Sequence, residues 1–241
     1  MIPIDRLVLG TAKFGLNFYG YNSTSRPTAQ ESIAVLRYAW RRGVREFDCA
    51  LGYGDAFALL DTAGIPSSAM VMKCRVPLRP PINVRDDYRW LIHNPTVAEM
   101  ETGLIPATCG VSVYTVAEVE TARRLGIRPI QAPASCLNPA VDVEYGRAPF
   151  LQGVLLRHAL SAPALLQNVV DAFQTSVVSF VALALHAAYG ERIVFGVSSI
   201  RQLDDVLAAC QQDVPEDLIA RARALASTVD ATAALPSLWS T

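Results

Sequence analysis

The sequence predicts an α/β fold, a (β/α)8 barrel of eight parallel strands in which some outer helices are shortened or missing. Two observations predict this fold. Strand-like and helix-like segments alternate along the 241 residues, and eight of these segments are strand candidates. Several candidates end in a polar or ionisable residue, which is typical of the barrel rim where an active site lies. We expect residues 1–241 to form a single domain.

The strand candidates are short, mostly apolar runs that are bounded by turn or loop residues. In chain order they are RLVLG (6–10), REFDCA (45–50), SAMVMKC (68–74), DYRWLIHN (87–94), ATCGVSVY (107–114), GIRPIQAPA (126–134), a run near EYGRAPFLQGVLL (144–156) and ERIVFGVSS (191–199).

The first long connection has the apolar spacing of a helix, with Thr28 and Glu31 placed as a capping box and Gly43 as its end. Two connections contain prolines that an ordinary crossover helix does not tolerate, RVPLRPPINVRD (75–86) and SCLNPAVDVEYG (135–146). Further helices are predicted in VAEVETARRLG (116–126), APALLQNVVDAFQ (162–174), SVVSFVALALHAAYG (176–190), SIRQLDDVLAAC (199–210) and PEDLIARARALAST (215–228).

Composition indicates a small-molecule partner. Half of the residues are hydrophobic (51%), 18% are charged and the net charge is −1, so neither nucleic acid nor a membrane surface is an expected partner. The start MIPIDRLVLG has charged residues where a signal peptide is apolar, which predicts a cytoplasmic protein. The apolar stretches are shorter than the roughly 20 residues that cross a bilayer. The five cysteines form no CxxC pair, so we expect neither a metal site nor a disulfide framework.

Four ionisable residues suit proton transfer: Asp48, Tyr53, Lys73 and His93, which occur in FDCALGYG, VMKC and WLIHN. A structural alternative is a buried Asp–Lys pair that ties strands together, beside a tyrosine and a histidine that only fill the core. Their placement at strand ends favours the catalytic interpretation. Cys49 neighbours Asp48, but alternation along a strand turns its side chain to the opposite face.

The segments LVLGTAKFG, FDCALGYG, VMKC, LIHNP, GVSVY and FGVSSIRQL resemble the aldo-keto reductase family in order and context. The resemblance implies reduction of an aldehyde or ketone to an alcohol by a nicotinamide dinucleotide. The expected cofactor is NADPH, and NADH is the alternative. It implies that Tyr53 is the general acid and that Lys73 stabilises its phenolate. Asp48 would then hold Lys73 in place, and His93 would donate to the carbonyl oxygen.

The resemblance also implies a set of cofactor-binding positions at strand ends and in the last turn. Ser112 and Gln131 match residues that hold the carboxamide, and Arg147 stands where an aromatic ring stacks on the nicotinamide. Arg201 is the nearest substitute for a basic residue that contacts the 2′-phosphate in many members. The full set is Gly10, Thr11, Ser112, Gln131, Arg147, Gly196, Ser198, Ser199, Arg201 and Gln202.

Spacing departs from the family pattern, because Lys73 follows Tyr53 by 20 residues and His93 follows Lys73 by 20 more, both short. Low pocket walls would suit a bulky or carrier-attached carbonyl substrate, in a biosynthetic role. If missing helices leave the barrel flanks uncovered, self-association is expected. Two alternatives remain open. One is a barrel without hydride transfer that performs proton-transfer chemistry, as a lyase or isomerase, and the other is a dinucleotide-sensing binding protein.

Overall fold

The computed structural model describes residues 1–17, 19, 25–75, 87–133, 143–151 and 179–226. Eight parallel strands form a closed barrel in chain order, and the last strand pairs with the first. This confirms the predicted (β/α)8 barrel and all eight strand candidates. The strands are β1 (Leu7–Gly10), β2 (Glu46–Ala50), β3 (Met70–Cys74), β4 (Arg89–His93), β5 (Gly110–Ser112), β6 (Ile130–Pro133), β7 (Tyr145–Arg147) and β8 (Arg192–Gly196).

The described helices lie between the strands and after the last one. They are α1 (Ala12–Gly15), α2 (Ala29–Arg41), α3 (Ala56–Ala63), α4 (Val97–Glu101), α5 (Val116–Arg124), α6 (Phe180–Ala187), α7 (Ile200–Cys210) and α8 (Glu216–Ala226). Short 3₁₀ turns at Ile4–Arg6 and Ser67–Ala69 precede β1 and β3.

The predicted capping box of α2 is confirmed. The Glu31 amide donates to Thr28 Oγ1 at 3.2 Å, and the Thr28 amide donates to Glu31 Oε2 at 2.8 Å. The crossover between β4 and β5 holds only the five-residue α4, so one outer helix is shortened. The helix predicted over 162–174 lies outside the described residues, as do most of the two proline-broken connections (76–86 and 134–142).

Alternation along each strand separates an inner from an outer layer. In β2 the buried Phe47 and Cys49 pack with the helices, so the outward orientation predicted for Cys49 is confirmed. The inward positions of five strands form a separate apolar cluster inside the barrel, made of Val8, Val71, Leu91, Tyr145 and Val194. The cysteines of the described segments, at 49, 74, 109 and 210, are free and buried.

The amino-terminal end of the barrel is closed by a charged cluster around Glu46. Glu46 Oε2 accepts hydrogen bonds from the Tyr145 hydroxyl at 2.9 Å and from Arg89 at 3.0 Å. The other carboxylate oxygen lies 2.8 Å from Arg192 Nε. These four residues stand at the starts of β2, β7, β4 and β8, so the cluster ties distant strands together. Within the described part of the chain, no helix combines the length and apolarity that a membrane crossing requires.

Candidate active site

A buried ion pair lies at the centre of the carboxyl end. Lys73 Nζ contacts Asp48 Oδ1 at 2.6 Å and Oδ2 at 2.9 Å, and the two side chains are 2% and 4% exposed. Burial by itself lowers the pKa of Lys73, but the charge of Asp48 and hydrogen bonds to Asp48 and Tyr53 raise that pKa above its ordinary value. Lys73 therefore keeps its proton and remains a cation.

Gln131 and Ser112 belong to the same buried network. Gln131 Nε2 donates to Asp48 Oδ2 at 2.8 Å, while Gln131 Oε1 accepts from Ser112 at 2.8 Å and from Lys73 at 3.2 Å. Both side chains were expected to hold the carboxamide of a cofactor. In the structure their polar atoms contact one another and the ion pair, so they position Asp48 and Lys73, and their contact with a carboxamide stays a prediction.

Tyr53 lies in the loop after β2, and close backbone packing places it there. A Cβ on Gly15 would lie 1.7 Å from the Tyr53 carbonyl oxygen, so only glycine allows α1 to approach this loop. Gly54 has φ +52°, and a Cβ there would lie 2.4 Å from the Gly15 oxygen. The Leu51 amide donates to the Lys73 carbonyl at 2.9 Å, which ties the loop to β3.

The Tyr53 ring lies between Lys73 and His93. Lys73 Nζ is 5.1 Å from the centroid of this ring, and the charge of Lys73 acts on the phenol. The His93 ring is edge-on to it, with centroids 6.1 Å apart and an interplanar angle of 89°. The structure thus brings together all four residues that the sequence singled out.

The two rings have opposite pKa shifts. Burial raises the pKa of the Tyr53 phenol, and the charge and hydrogen bond of Lys73 offset this effect without reversing it, so the phenol keeps its proton. Burial, together with the positive charges of Lys73 and Arg147, lowers the pKa of His93 to about 4. At neutral pH the imidazole is neutral and can donate one N–H hydrogen bond.

Tyr19 is a site residue that the sequence analysis did not single out. Burial is the main cause that raises the pKa of the Tyr19 phenol to about 12, and electrostatic interaction with Tyr53 is the second. The charges of Arg147 and Lys73 also act on it, which places this second phenol near the same cluster. The sequence signal was an aromatic residue soon after the motif LVLGTAKFG, in the segment that follows α1.

Arg147 ends β7 at an inward position, and its guanidinium is held at two points. Nη2 donates to the Val113 carbonyl at 3.0 Å, and the guanidinium carbon lies 4.1 Å from the centroid of the Tyr114 ring. The side chain therefore extends from β7 past the end of β6 to the segment after β5. Its buried Nε has no hydrogen-bond acceptor in the described part of the chain.

The remaining predicted cofactor residues lie at the ends of β1 and β8. Gly10 and Gly196 are paired in register, while the buried Thr11 hydroxyl donates to the Asp48 carbonyl at 2.9 Å. Gly196 is exposed, and a Cβ there would meet nothing within 4 Å. Ser199 caps α7, because its hydroxyl accepts from the Gln202 amide at 3.2 Å. The Ser198 amide donates to the Gln202 side chain at 2.6 Å, and Arg201 is exposed in the first turn of α7.

The chain is similar over nearly its whole length to solved structures of aldo-keto reductases. A thermostable aldo-keto reductase in complex with the inhibitor epalrestat has 18% sequence identity and a TM-score of 0.58, over 93% of this chain and 95% of that chain. An aldo-keto reductase from Brucella melitensis has 13% identity and a TM-score of 0.56, over 91% of this chain and 94% of that chain. No protein-family model and no curated protein matches the sequence. The chain therefore has the fold of the aldo-keto reductases, which confirms the resemblance at the level of fold.

Proposed function

We propose that this protein is an oxidoreductase that reduces the carbonyl group of an aldehyde or ketone to an alcohol, with a nicotinamide dinucleotide as hydride source. One observation carries the proposal: a phenol, a buried ammonium–carboxylate pair and a neutral imidazole converge at the carboxyl end of a parallel barrel. This combination can donate a proton to an oxygen atom on which negative charge develops.

The end of the barrel near β1 and β8 has features that suit a dinucleotide. Gly10 and Gly196 leave the strand ends without side chains, and the amino terminus of α7 follows directly, where backbone amides favour phosphate groups. Ser198, Ser199, Arg201 and Gln202 would surround the phosphate, and we propose NADPH as the cofactor, with NADH as the alternative. When bound, the cofactor supplies the hydride that no side chain can deliver.

The side chains of this protein would handle the proton. Tyr53 donates its phenolic proton to the carbonyl oxygen, and the raised pKa ensures that the proton is present beforehand. The phenolate that forms is stabilised by the Lys73 ammonium, whose own charge is balanced by Asp48. His93 is neutral and donates an N–H hydrogen bond to the same oxygen, which orients the carbonyl group.

We extend the proposal to bulky or carrier-attached carbonyl substrates. The strand that bears His93 is separated from α4 by residues 94–96, so this connection supplies little chain to form a wall over the site. A carbonyl group on a large molecule would then reach Tyr53 as readily as a free small aldehyde.

A Tyr53→Phe variant tests the proposed acid. We expect the rate of NADPH oxidation, measured by absorbance across a panel of aldehydes and ketones, to fall about 10²- to 10⁴-fold. The dissociation constant for NADPH, measured by fluorescence titration, should change little. Tyr38→Phe is the matched control, because that hydroxyl contacts Asp204 on the outer helices. It should leave the rate unchanged.

Two results would contradict the proposal. If the wild-type protein binds NADPH or NADH but oxidises neither with any carbonyl compound, the dinucleotide-sensing alternative is favoured. If it binds neither dinucleotide, the proton-transfer alternative is favoured. A Tyr53→Phe variant that keeps the wild-type rate would remove the phenol from the mechanism.

A further inference from the structure

We propose that the Arg147 guanidinium binds an anionic group of the substrate, so that the carbonyl compound reduced by this protein is an oxo acid. The reduction itself rests on the proposed function above, whereas the anion site rests on the surroundings of Arg147.

The first observation is an unused buried donor. Arg147 Nε is buried and meets no acceptor among the described residues, although the same guanidinium donates to Val113 through Nη2. A buried donor without a partner is unfavourable, and such groups in native proteins usually have a ligand, water or functional role. The Nε–H of Arg147 therefore calls for an acceptor that the described chain does not provide.

The second observation is the charge around this donor. Arg89 and Arg192 share the carboxylate of Glu46, whereas no described carboxylate lies within ion-pair distance of Arg147. The nearby ion pair does not balance the charge of Arg147, because the charges of Lys73 and Asp48 neutralise each other. Among the described residues, the charge of Arg147 is therefore not balanced by a carboxylate, and such a charge would attract an anion.

The third observation is that the guanidinium is fixed in position. One face packs on the Tyr114 ring and Nη2 is hydrogen-bonded to the segment after β5, so the direction of the Nε–H is set before any ligand arrives. The charge of Arg147 also acts on Tyr53 and His93, the two residues that would meet the carbonyl oxygen. A rigid donor beside the acid suits a carboxylate that is carried close to the carbonyl group.

The experiment compares phenylglyoxylate with its methyl ester, which differ in the carboxylate charge. Calorimetric titration with and without NADP⁺ measures affinity without turnover, and NADPH oxidation measures turnover separately. We expect the wild-type protein to bind the acid about 10- to 100-fold more tightly than the ester. Arg147→Met should abolish this preference and leave the affinity for the ester within about threefold.

Two further variants control for the shape of the guanidinium and for positive charge elsewhere near the site. Arg147→Lys keeps the charge without the planar fork, so it should keep part of the preference. Arg75→Met removes an exposed positive charge that also acts on His93, and it should leave the acid-to-ester ratio within about twofold.

Equal binding of acid and ester by the wild-type protein would overturn the anion site without any variant. An Arg147→Met variant that binds the acid and the ester equally less tightly would also overturn it. So would a variant that loses affinity only for NADP⁺, since the Arg147 donor would then belong to the cofactor site. If the acid is preferred through Arg147 but neither compound supports NADPH oxidation, the anion site stands and the proposed reduction fails.

Discussion

The buried pair of Asp48 and Lys73 makes a quantitative prediction about stability. In Asp48→Asn the Lys73 ammonium loses its counter-ion. Burial lowers the pKa of Lys73, and in this variant no negative charge opposes that effect. The cost has a ceiling because the lysine can release its proton. The ordinary pKa of lysine, about 10.4, lies about 3.4 units above pH 7. At about 1.36 kcal/mol per unit, releasing the proton at pH 7 costs about 4.6 kcal/mol. We therefore expect Asp48→Asn to lower the free energy of unfolding by about 3–5 kcal/mol.

The double variant Asp48→Asn/Lys73→Met separates the missing charge from the lost contact. It leaves no buried charge at the pair, so its free energy of unfolding should return to within about 2 kcal/mol of wild type. Lys73→Met alone should cost about as much as Asp48→Asn alone. Urea unfolding followed by circular dichroism gives all four values of this cycle, and the coupling energy should exceed about 2 kcal/mol.

The control cycle uses the exposed pair of Glu101 and Arg124, which lie 2.6 Å apart with 48% and 60% of their side chains exposed. Its coupling energy should lie below about 1 kcal/mol, because solvent screens the charges. If the buried cycle gave the same small value, or if the double variant were as unstable as the sum of the single ones, the reasoning would be refuted. The double variant should also be inactive even where it is stable.

Two further predictions concern His93 and Glu46. The pKa of His93 is about 4 in the folded protein and about 6.5 when unfolded, so the stability from neutral His93 is complete above pH 6.5 and is lost as the pH falls toward 4. The loss is at most about 3.4 kcal/mol. Urea unfolding at pH 7, 6 and 5 should show a flatter dependence of stability on pH for His93→Gln than for wild type, whereas parallel profiles would contradict the shift. Glu46→Gln leaves Arg89 and Arg192 without their shared carboxylate, so it should lower the free energy of unfolding by about 1–3 kcal/mol. Since Glu46 lies at the opposite end of the barrel, kcat should not change, and a reduced kcat in a fully folded sample would contradict that separation.

Local patterns were sufficient for the strands, because each is a short apolar run that ends at a recognisable turn or loop. They were not sufficient for α3, whose eight residues AFALLDTA are mostly apolar and show little of the polar face that marks a surface helix. Burial and packing against α2 and β2 place this helix, and neither is visible in a short window of sequence.

The site was predicted only where a residue's role follows from its strand position. Asp48, Lys73 and His93 occupy strand positions that face inward by alternation, and their places near the ends of β2, β3 and β4 bring them to one end of the barrel. Gln131 also faces inward, but its contact with Asp48 was not predicted, because that contact depends on distances across the barrel. Tyr19 lies in a loop without periodicity, so no pattern of spacing indicates that it approaches Tyr53.

The ion pair also links the chemistry to the register of the barrel. Lys73 pairs with Ala50 across the ladder, and Asp48 pairs with Val71, so the lysine side chain reaches diagonally back to the carboxylate. A shift of one residue in β2 would turn Cys49 inward and place Asp48 among the apolar side chains under the helices. Because an unpaired buried charge costs more than the pair contributes, the ion pair disfavours that alternative more than it stabilises the native state. The same two side chains that support the acid thus help to specify the strand register on which the whole site depends.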